Sequence, residues 1–345
     1  MGNHSSYPNH HLRGILPPYI LEAIVKNAPD RIAEVASETL RRDTFFRNSR
    51  VNQAVLAGEA SPQGERKSAS TVDAVTPERL IYDVDHKGRQ HLPGKIIRRE
   101  GQVVCGDDAA DEAYEGLGHT FEFYRRIFQR NSIDDEGMAL LATVHYNERH
   151  NNAFWDGRQM VFGDGDGYYF QRFTLSLDII GHELAHGVVQ HTAGLQYSLQ
   201  AGALNESICD VMGSLLKQWL SKETVERADW LIGAGLFTNR VQGVALRSMQ
   251  QPGTAFDDPI LEKDPQVGHM NDFVRTEEDN GGVHINSGIP NRAFYLAATA
   301  IGGYAWEKAG QIWYTTLCDK RLKNSYGFMR FARLTVDNAG RLFSQ

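Results

Sequence analysis

Ser176-Leu177-Asp178-Ile179-Ile180-Gly181-His182-Glu183-Leu184-Ala185-His186-Gly187-Val188-Val189-Gln190, running on to Gly194, is the stretch that decides the fold. Ile180, Leu184 and Val188 recur every four residues, which predicts a helix with one buried stripe. Ser176 is placed to cap this helix and Gly194 to end it. His182 and His186 then lie one turn apart on the same face, within reach of a single ion. Glu183 is rotated from them by roughly 100°, beside that ion and not on it. Two neutral nitrogen ligands, a free carboxylate and an open coordination position are what metal-assisted hydrolysis needs.

The chain differs in kind on either side of this helix. Residues 72–105 alternate short apolar runs with turn signals and read as β-structure, followed by a helix over Ala109–Arg130. Ala139–Tyr146, Ala153–Trp155 and Gln159–Phe162 read as strands, with Asp156-Gly157 as a hairpin turn. Gly163-Asp164-Gly165-Asp166-Gly167 resembles a calcium loop, but the twelfth position from Asp164 is Leu175 and not Glu, so a tight turn is expected. Beyond Gly194, helices are expected over 203–220, 224–236, 287–302, 306–318 and 325–340. A β-rich half, one central helix and a helical half predict a two-domain α+β protein with its site in the cleft between them. Ahead of this body, residues 1–16 read as a loosely attached lead containing His4, His10 and His11. Pro17-Pro18 opens a helix through Asn27, and Pro29 opens a second that ends near Arg41-Arg42-Asp43. Ala57–Ser70 is a solvated linker of the kind proteases cut.

Bulk properties narrow the function classes. A chain of 345 residues, 41% hydrophobic, can build two domains and an appendage. A net charge of -7 argues against nucleic acid as a partner. Residues 1–70 hold 9 Lys/Arg against 7 Asp/Glu, and the remainder 27 against 36, so a basic appendage is expected to dock on an acidic body. Cys105, Cys209 and Cys318 give neither a disulfide framework nor a cysteine zinc site. No run reaches the 18 or more apolar residues of a membrane span. The N-terminus has no basic region followed by an apolar core, so no ordinary signal peptide is expected. Met1-Gly2 with Ser6 fits a myristoylation pattern formally, yet nothing nearby supports an anchor. The protein either stays in the cell or leaves by a non-standard route.

The third metal ligand is the next question. Zinc proteases of one subclass place another His six residues after the second, with a Gly between; here those positions are Thr192 and Val189. His191 is rotated roughly 140° from His186 and reads as an ordinary polar residue. Glu206 is the better candidate, on a helix whose Ile208, Val211, Leu215 and Trp219 would pack against the first. Asp210 shares its face and could hold a ligand histidine by the other ring nitrogen.

These residues carry a resemblance. Asn151-Asn152-Ala153-Phe154-Trp155, His182–His186, Gly202-Ala203-Leu204-Asn205-Glu206 and Asp279-Asn280-Gly281-Gly282-Val283-His284-Ile285-Asn286-Ser287-Gly288 together resemble the thermolysin family of zinc endopeptidases, over roughly residues 72–345. The resemblance implies a β-rich N-terminal domain (72–197) and a helical C-terminal domain (198–345) joined by the zinc-site helix. It implies one zinc ion on His182, His186 and Glu206, with water in the remaining position and Glu183 as general base. Tyr197 and His284 match the family's oxyanion donors, with Asp279 orienting His284. Arg247 matches the arginine that grips a substrate carbonyl, and Asn152 and Ala153 match the edge strand that pairs with an extended peptide. Phe170, Phe173, Ile179 and Leu246 would line the pocket after the scissile bond and favour a bulky apolar residue there. Lys217 stands where thermolysin has a calcium-binding Glu, although Asp178 keeps another calcium position; one calcium ion or none is expected.

Pro17-Pro18-Tyr19-Ile20-Leu21 is similar to the short pro-segment of protealysin-like members of the family. The resemblance implies an inhibitory propeptide over 1–56, acting on its own chain through Pro17, Pro18 and Tyr19. A linker over 57–71 would carry the activation cleavage, within 47–72. Protein or peptide substrates and a monomeric state are expected, and secretion by a non-standard route. Two other readings are a zinc aminopeptidase, which would need acidic residues to grip a free amine, and an inactive binding module on the same fold. The latter has no need of Glu183, Tyr197 and His284.

Overall fold

The computed structural model describes residues 13–56 and 76–343. The lead with His4, His10 and His11 and the linker at 57–71 lie outside the described residues. In the first part of the chain the elements are β1 (Arg13–Gly14), α1 (Pro18–Asn27), α2 (Asp30–Leu56), β2 (Arg79–Asp83), β3 (Lys95–Arg99), α3 (Asp108–Phe128), β4 (Leu140–Val144), β5 (Ala153–Trp155), β6 (Met160–Phe162) and α4 (Leu177–Gln190). The strands form one mixed sheet in the order β1-β5-β6-β4-β2-β3. β2, β4 and β6 are parallel, so their C-terminal ends lie side by side, while β1, β5 and β3 run antiparallel to their neighbours.

The second part is mainly helical: α5 (Leu199–Ser221), the short strands β7 (Leu231–Ile232), β8 (Arg247–Ser248), β9 (Asp257–Asp258) and β10 (Glu262–Lys263), then α6 (Asp279–Asn286), α7 (Gly288–Ile301), α8 (Ala309–Leu317) and α9 (Phe328–Phe343). The α+β expectation is met. Among the described residues, no helix is long and apolar enough to cross a membrane.

α5 is the centre of the helical part, buried at every residue from Ala201 to Leu216. It crosses α4 at backbone contact, which two glycines permit. A Cβ on Gly213 would lie 2.3 Å from the Asp178 carbonyl oxygen, and one on Gly181 would lie 2.7 Å from Leu216 Cδ2. Larger residues there would separate the helices and draw Glu206 away from the histidines.

Several expected boundaries are corrected. α2 does not stop near Asp43 but continues to Leu56, because no Gly or Pro interrupts Asp30–Leu56 and Glu38 pairs with Arg42 one turn on at 2.8 Å. Residues 224–236 are not a helix. Trp230, Gly233 and Gly235 have φ of 55°, 72° and 82°, and the buried Trp230 indole donates to the Val225 carbonyl at 3.0 Å. Val225, Trp230, Ile232 and Leu236 fill the core from a loop. α4 ends at Gln190, and Gly194 (φ 57°) sits in the turn beyond, its N–H reaching Val189 O. Ser176 holds the cap position, but its hydroxyl donates to the Ala234 carbonyl at 3.4 Å.

Residues 13–43 lie against the rest of the chain. Ile15, Leu16, Ile20, Leu21, Ile24 and Ala36 are buried in the common core. Lys26 pairs with Glu262 at 2.8 Å, with both side chains largely exposed. The expected docking of appendage on body is therefore mainly apolar, and charge contributes at its rim.

Candidate active site

His182 and His186 project from α4 toward Glu206 on α5, and all three are fully buried. His182 Nε2 lies 3.4 Å from one Glu206 oxygen and His186 Nε2 lies 3.3 Å from the other. The opposite ring nitrogens are engaged, His182 Nδ1 with Asp210 at 2.8 Å and His186 Nδ1 with Asn205 Oδ1 at 2.9 Å. Those bonds fix each ring with Nε2 turned inward. His182 Nε2, Glu183 Oε1 and Glu206 Oε2 are buried with no hydrogen-bond partner among the described residues. Orphaned polar atoms of this kind are costly unless something binds them, so the donor set fits a zinc ion.

The electrostatics agree with a cation at this point. Against the upward push of burial, His284 and His186 hold Glu206 well below the usual carboxylate range. Burial would lower His182, but Asp210 and Glu206 raise it to about 9. Burial pushes the Glu183 carboxyl up to about 8. Its other oxygen accepts the Trp155 backbone N–H at 2.9 Å, which leaves Oε1 without a partner among the described residues.

Tyr197 and His284 reach the same point from the helical part. The Tyr197 hydroxyl donates to Glu206 and lies 3.3 Å from His284 Nε2. His284 is positioned by an unusual start to α6. Asp279, Asn280, Gly281 and Gly282 all have positive φ, from 47° to 89°, a left-handed run that Asp, Asn and Gly tolerate best. The turn brings Asp279 back onto its own helix, where it accepts from His284 Nδ1 at 2.6 Å and from the His284 backbone N–H at 2.8 Å. Asp279 and Glu206 thereby raise the imidazole against the downward pull of burial.

Arg247, on β8, is buried and doubly hydrogen-bonded to Asp210, through Nε at 2.9 Å and Nη2 at 2.8 Å. Its remaining Nη1 donates to the carbonyl of Ile15, 2.9 Å away. The N-terminal segment also occupies the edge strand. The Ile15 N–H donates to the Ala153 carbonyl at 3.1 Å. Asn152 Oδ1 accepts from the Leu16 N–H at 3.0 Å, and its Nδ2 donates to Asp43 at 2.8 Å. Gly14 permits this approach, since a Cβ there would lie 2.8 Å from Asn152 Nδ2. Ile15 is fully buried in the same apolar cluster as Phe170, Phe173, Ile179 and Leu246. Pro17 and Pro18 are buried behind it, and the half-buried Tyr19 has an enclosed hydroxyl whose pKa burial raises well above 10.0.

Sequence reasoning missed Asn205 and Asn291. Asn205 holds His186, and Asn291 donates to Asp210 at 2.9 Å. The adjacency of Asn205 to Glu206 was a usable signal for the first. Asn291 joins from α7 only through tertiary packing.

The comparisons with known proteins agree with this geometry. The family model described as thermolysin metallopeptidase, catalytic domain, matches residues 60–190, and that for the alpha-helical domain matches 193–345. The chain belongs to the thermolysin metallopeptidase family. An extracellular metalloprotease of Pectobacterium carotovorum subsp. carotovorum is 51% identical over 96% of this chain and 91% of its own length. Protease PrtS of Photorhabdus sp. (strain Az29) is 47% identical over 98% of this chain and 89% of its own. Among solved structures, the precursor of protealysin, a metalloproteinase from Serratia proteamaculans, superposes with a TM-score of 0.85 at 49% identity, covering 96% of this chain and 95% of that one. This member of the thermolysin family is a zinc endopeptidase made as a precursor.

One departure from thermolysin has a structural counterpart. The Lys217 ammonium lies 3.0 Å from Asp178 and 2.9 Å from Asp229, and donates to the Leu231 carbonyl at 2.7 Å. Burial would lower its pKa, but the two carboxylates raise it.

Proposed function

We propose that the zinc ion is held by His182, His186 and Glu206, and that residues 13–43 block the site in the manner of a substrate until they are removed. The observation carrying this reading is the backbone of Ile15 and Leu16, held by Arg247, Ala153 and Asn152, the groups that family resemblance assigns to a bound peptide. Bound zinc would act as a Lewis acid and acidify water. Glu183 Oε1 takes the proton from the attacking water and passes it to the leaving amine. Tyr197 and His284 donate to the developing oxyanion, and Asp279 stabilises the positive charge His284 then carries. Arg247 and Asn152 fix the peptide carbonyl and amide so that the scissile bond is presented in register. The pocket of Phe170, Phe173, Ile179 and Leu246 would take a bulky apolar residue, and Ile15 is buried in the apolar cluster to which they belong.

On this reading residues 1–56 are the propeptide, and cleavage falls in the linker over 57–71. The peptidase domains are 72–197 and 198–345, and the monomer is complete in itself. Two relatives are named extracellular, which supports action outside the cell. Lys217 supports the absence of calcium from that part of the helical domain, since its ammonium already neutralises Asp178.

Glu183→Gln tests the mechanism. Zinc content should stay at the wild-type level while peptide hydrolysis falls about 10²–10⁴-fold and the chain remains uncut. Undiminished turnover, or activity surviving exhaustive chelation, would overturn it.

A further inference from the structure

We propose a second metal site, formed by His86, His145 and Asp164, that takes a divalent ion of the zinc class. The three residues follow three neighbouring parallel strands. His86 is the third residue after β2, His145 the first after β4 and Asp164 the second after β6. The C-terminal ends of parallel strands are where α/β sheets gather ligand-binding groups. His145 Nδ1 lies 2.9 Å and 3.0 Å from the two Asp164 oxygens, and His86 Nδ1 lies 3.5 Å from one of them. The three ligand atoms converge within 4.8 Å of one another, as those of His182, His186 and Glu206 do.

The surroundings are built as a ligand shell. His145 Nε2 is 2.9 Å from Asp107, the arrangement that fixes a ligating imidazole with its other nitrogen toward the ion. Asp107 is itself fixed, because it caps α3 through the Ala110 N–H at 2.9 Å. His86 and His145 both have left-handed backbones, with φ of 54° and 56°, and the His86 N–H donates to the His145 carbonyl at 3.0 Å. Non-glycine residues held in this conformation concentrate at ligand sites. His145, Asp107 and Asp164 face a cleft of about 810 Å³, which leaves an open coordination position. Arg172 lines that cleft but is engaged by Glu112 at 2.6 Å and Asp108 at 3.5 Å. Lys87 is paired with Asp85 at 3.0 Å. Neither cation neutralises the two carboxylates at His145.

Two imidazoles and one carboxylate form a donor set suited to zinc and its first-row neighbours more than to calcium or magnesium. An ion here would tie together three strand ends and the 163–167 loop. That loop backs the substrate edge, with the Gly163 N–H bonded to the Asn152 carbonyl at 2.9 Å and the Gly165 N–H to that of His150 at 3.1 Å. The site therefore stabilises the scaffold of the edge strand without touching the reacting groups.

The test is metal stoichiometry by mass spectrometry on the intact chain carrying Glu183→Gln, dialysed against buffered micromolar free zinc. Two equivalents are expected. His86→Asn, which tolerates the left-handed backbone, and His145→Gln should each leave one, whereas His182→Ala should remove the other equivalent and keep this one. Asp107→Asn should weaken uptake at this site about 10–100-fold. The zinc equivalent that His86→Asn retains, with a zinc-dependent rise in melting temperature smaller than the parent's, checks that the substituted chain is folded. A single equivalent in the parent, or a second that survives both His86→Asn and His145→Gln, would overturn the proposal. The cluster would then be an imidazolium clamped between Asp107 and Asp164.

Discussion

Asp210 accepts hydrogen bonds from three groups at once: the ring of His182, the guanidinium of Arg247 and the amide of Asn291. Burial alone would raise its pKa, but Arg247 and His182 bring it to about 2, so it is ionised throughout the working range. One carboxylate thus orients His182, the proposed metal ligand, and Arg247, the proposed grip on a peptide carbonyl. Asp210→Asn should therefore weaken zinc binding about 10–100-fold, measured by competition with a chelator, and raise KM as Arg247 loosens. Lys217 is a second residue whose charge decides chemistry. Lys217→Glu replaces the half-buried ammonium by a third carboxylate beside Asp178 and Asp229. Stability should then become calcium-dependent, with a melting temperature that rises on adding calcium and that EGTA lowers, while the parent is indifferent to both. The Lys217 pair also has a pH signature. A lysine whose pKa is raised on folding contributes stability that is complete below about 10.4 and lost as pH climbs through the raised value. The melting-temperature difference between wild type and Lys217→Met should hold from pH 7 to about 10 and shrink above it.

Among the elements, the contact of α4 with α5 carries most of the site. His182, His186 and Glu183 are on one helix, and Glu206, Asn205 and Asp210 are on the other. Their separation is set by Gly181 and Gly213. Gly213→Ala places a methyl group against the Asp178 carbonyl and should cost about 1–3 kcal/mol, read by denaturant unfolding, together with a drop in zinc affinity. The heptapeptide-scale patterns that reveal a helix do not reveal this crossing, because a glycine in a helix reads as a weak helix former and not as a contact. The same limit explains the error at 224–236. Val225, Trp230, Ile232 and Leu236 are buried, but local spacing does not distinguish a helix from a core-filling loop with left-handed turns at Trp230, Gly233 and Gly235. α2 departs from expectation the other way, since it runs past Arg41-Arg42-Asp43 to Leu56 and no Gly or Pro breaks it.

At the scale of the whole molecule, the N-terminal segment supplies a strand to the sheet and buries its apolar side chains at the cleft. Ile15→Asp would put a carboxylate into that apolar cluster, and the intact chain should then hydrolyse small peptide substrates faster than the wild-type precursor does. Equal rates before any cleavage would count against a blocking role. A peptide of residues 13–27 should in turn inhibit the processed enzyme. The proposed ligands and general base could be named from residue type at short, regular spacing, with His182 and His186 one turn apart and Glu206 and Asp210 on one face, whereas the proposed oxyanion donors Tyr197 and His284 came from the family resemblance alone. Binary patterning likewise determined the α+β class. Only the tertiary structure decided that Ile15, far from Arg247 in the chain, is held by it, that Asn291 supports Asp210, and that His86, His145 and Asp164 meet at three strand ends. These contacts join residues distant in sequence, and their energies come from burial and long-range pairing, which no local pattern encodes.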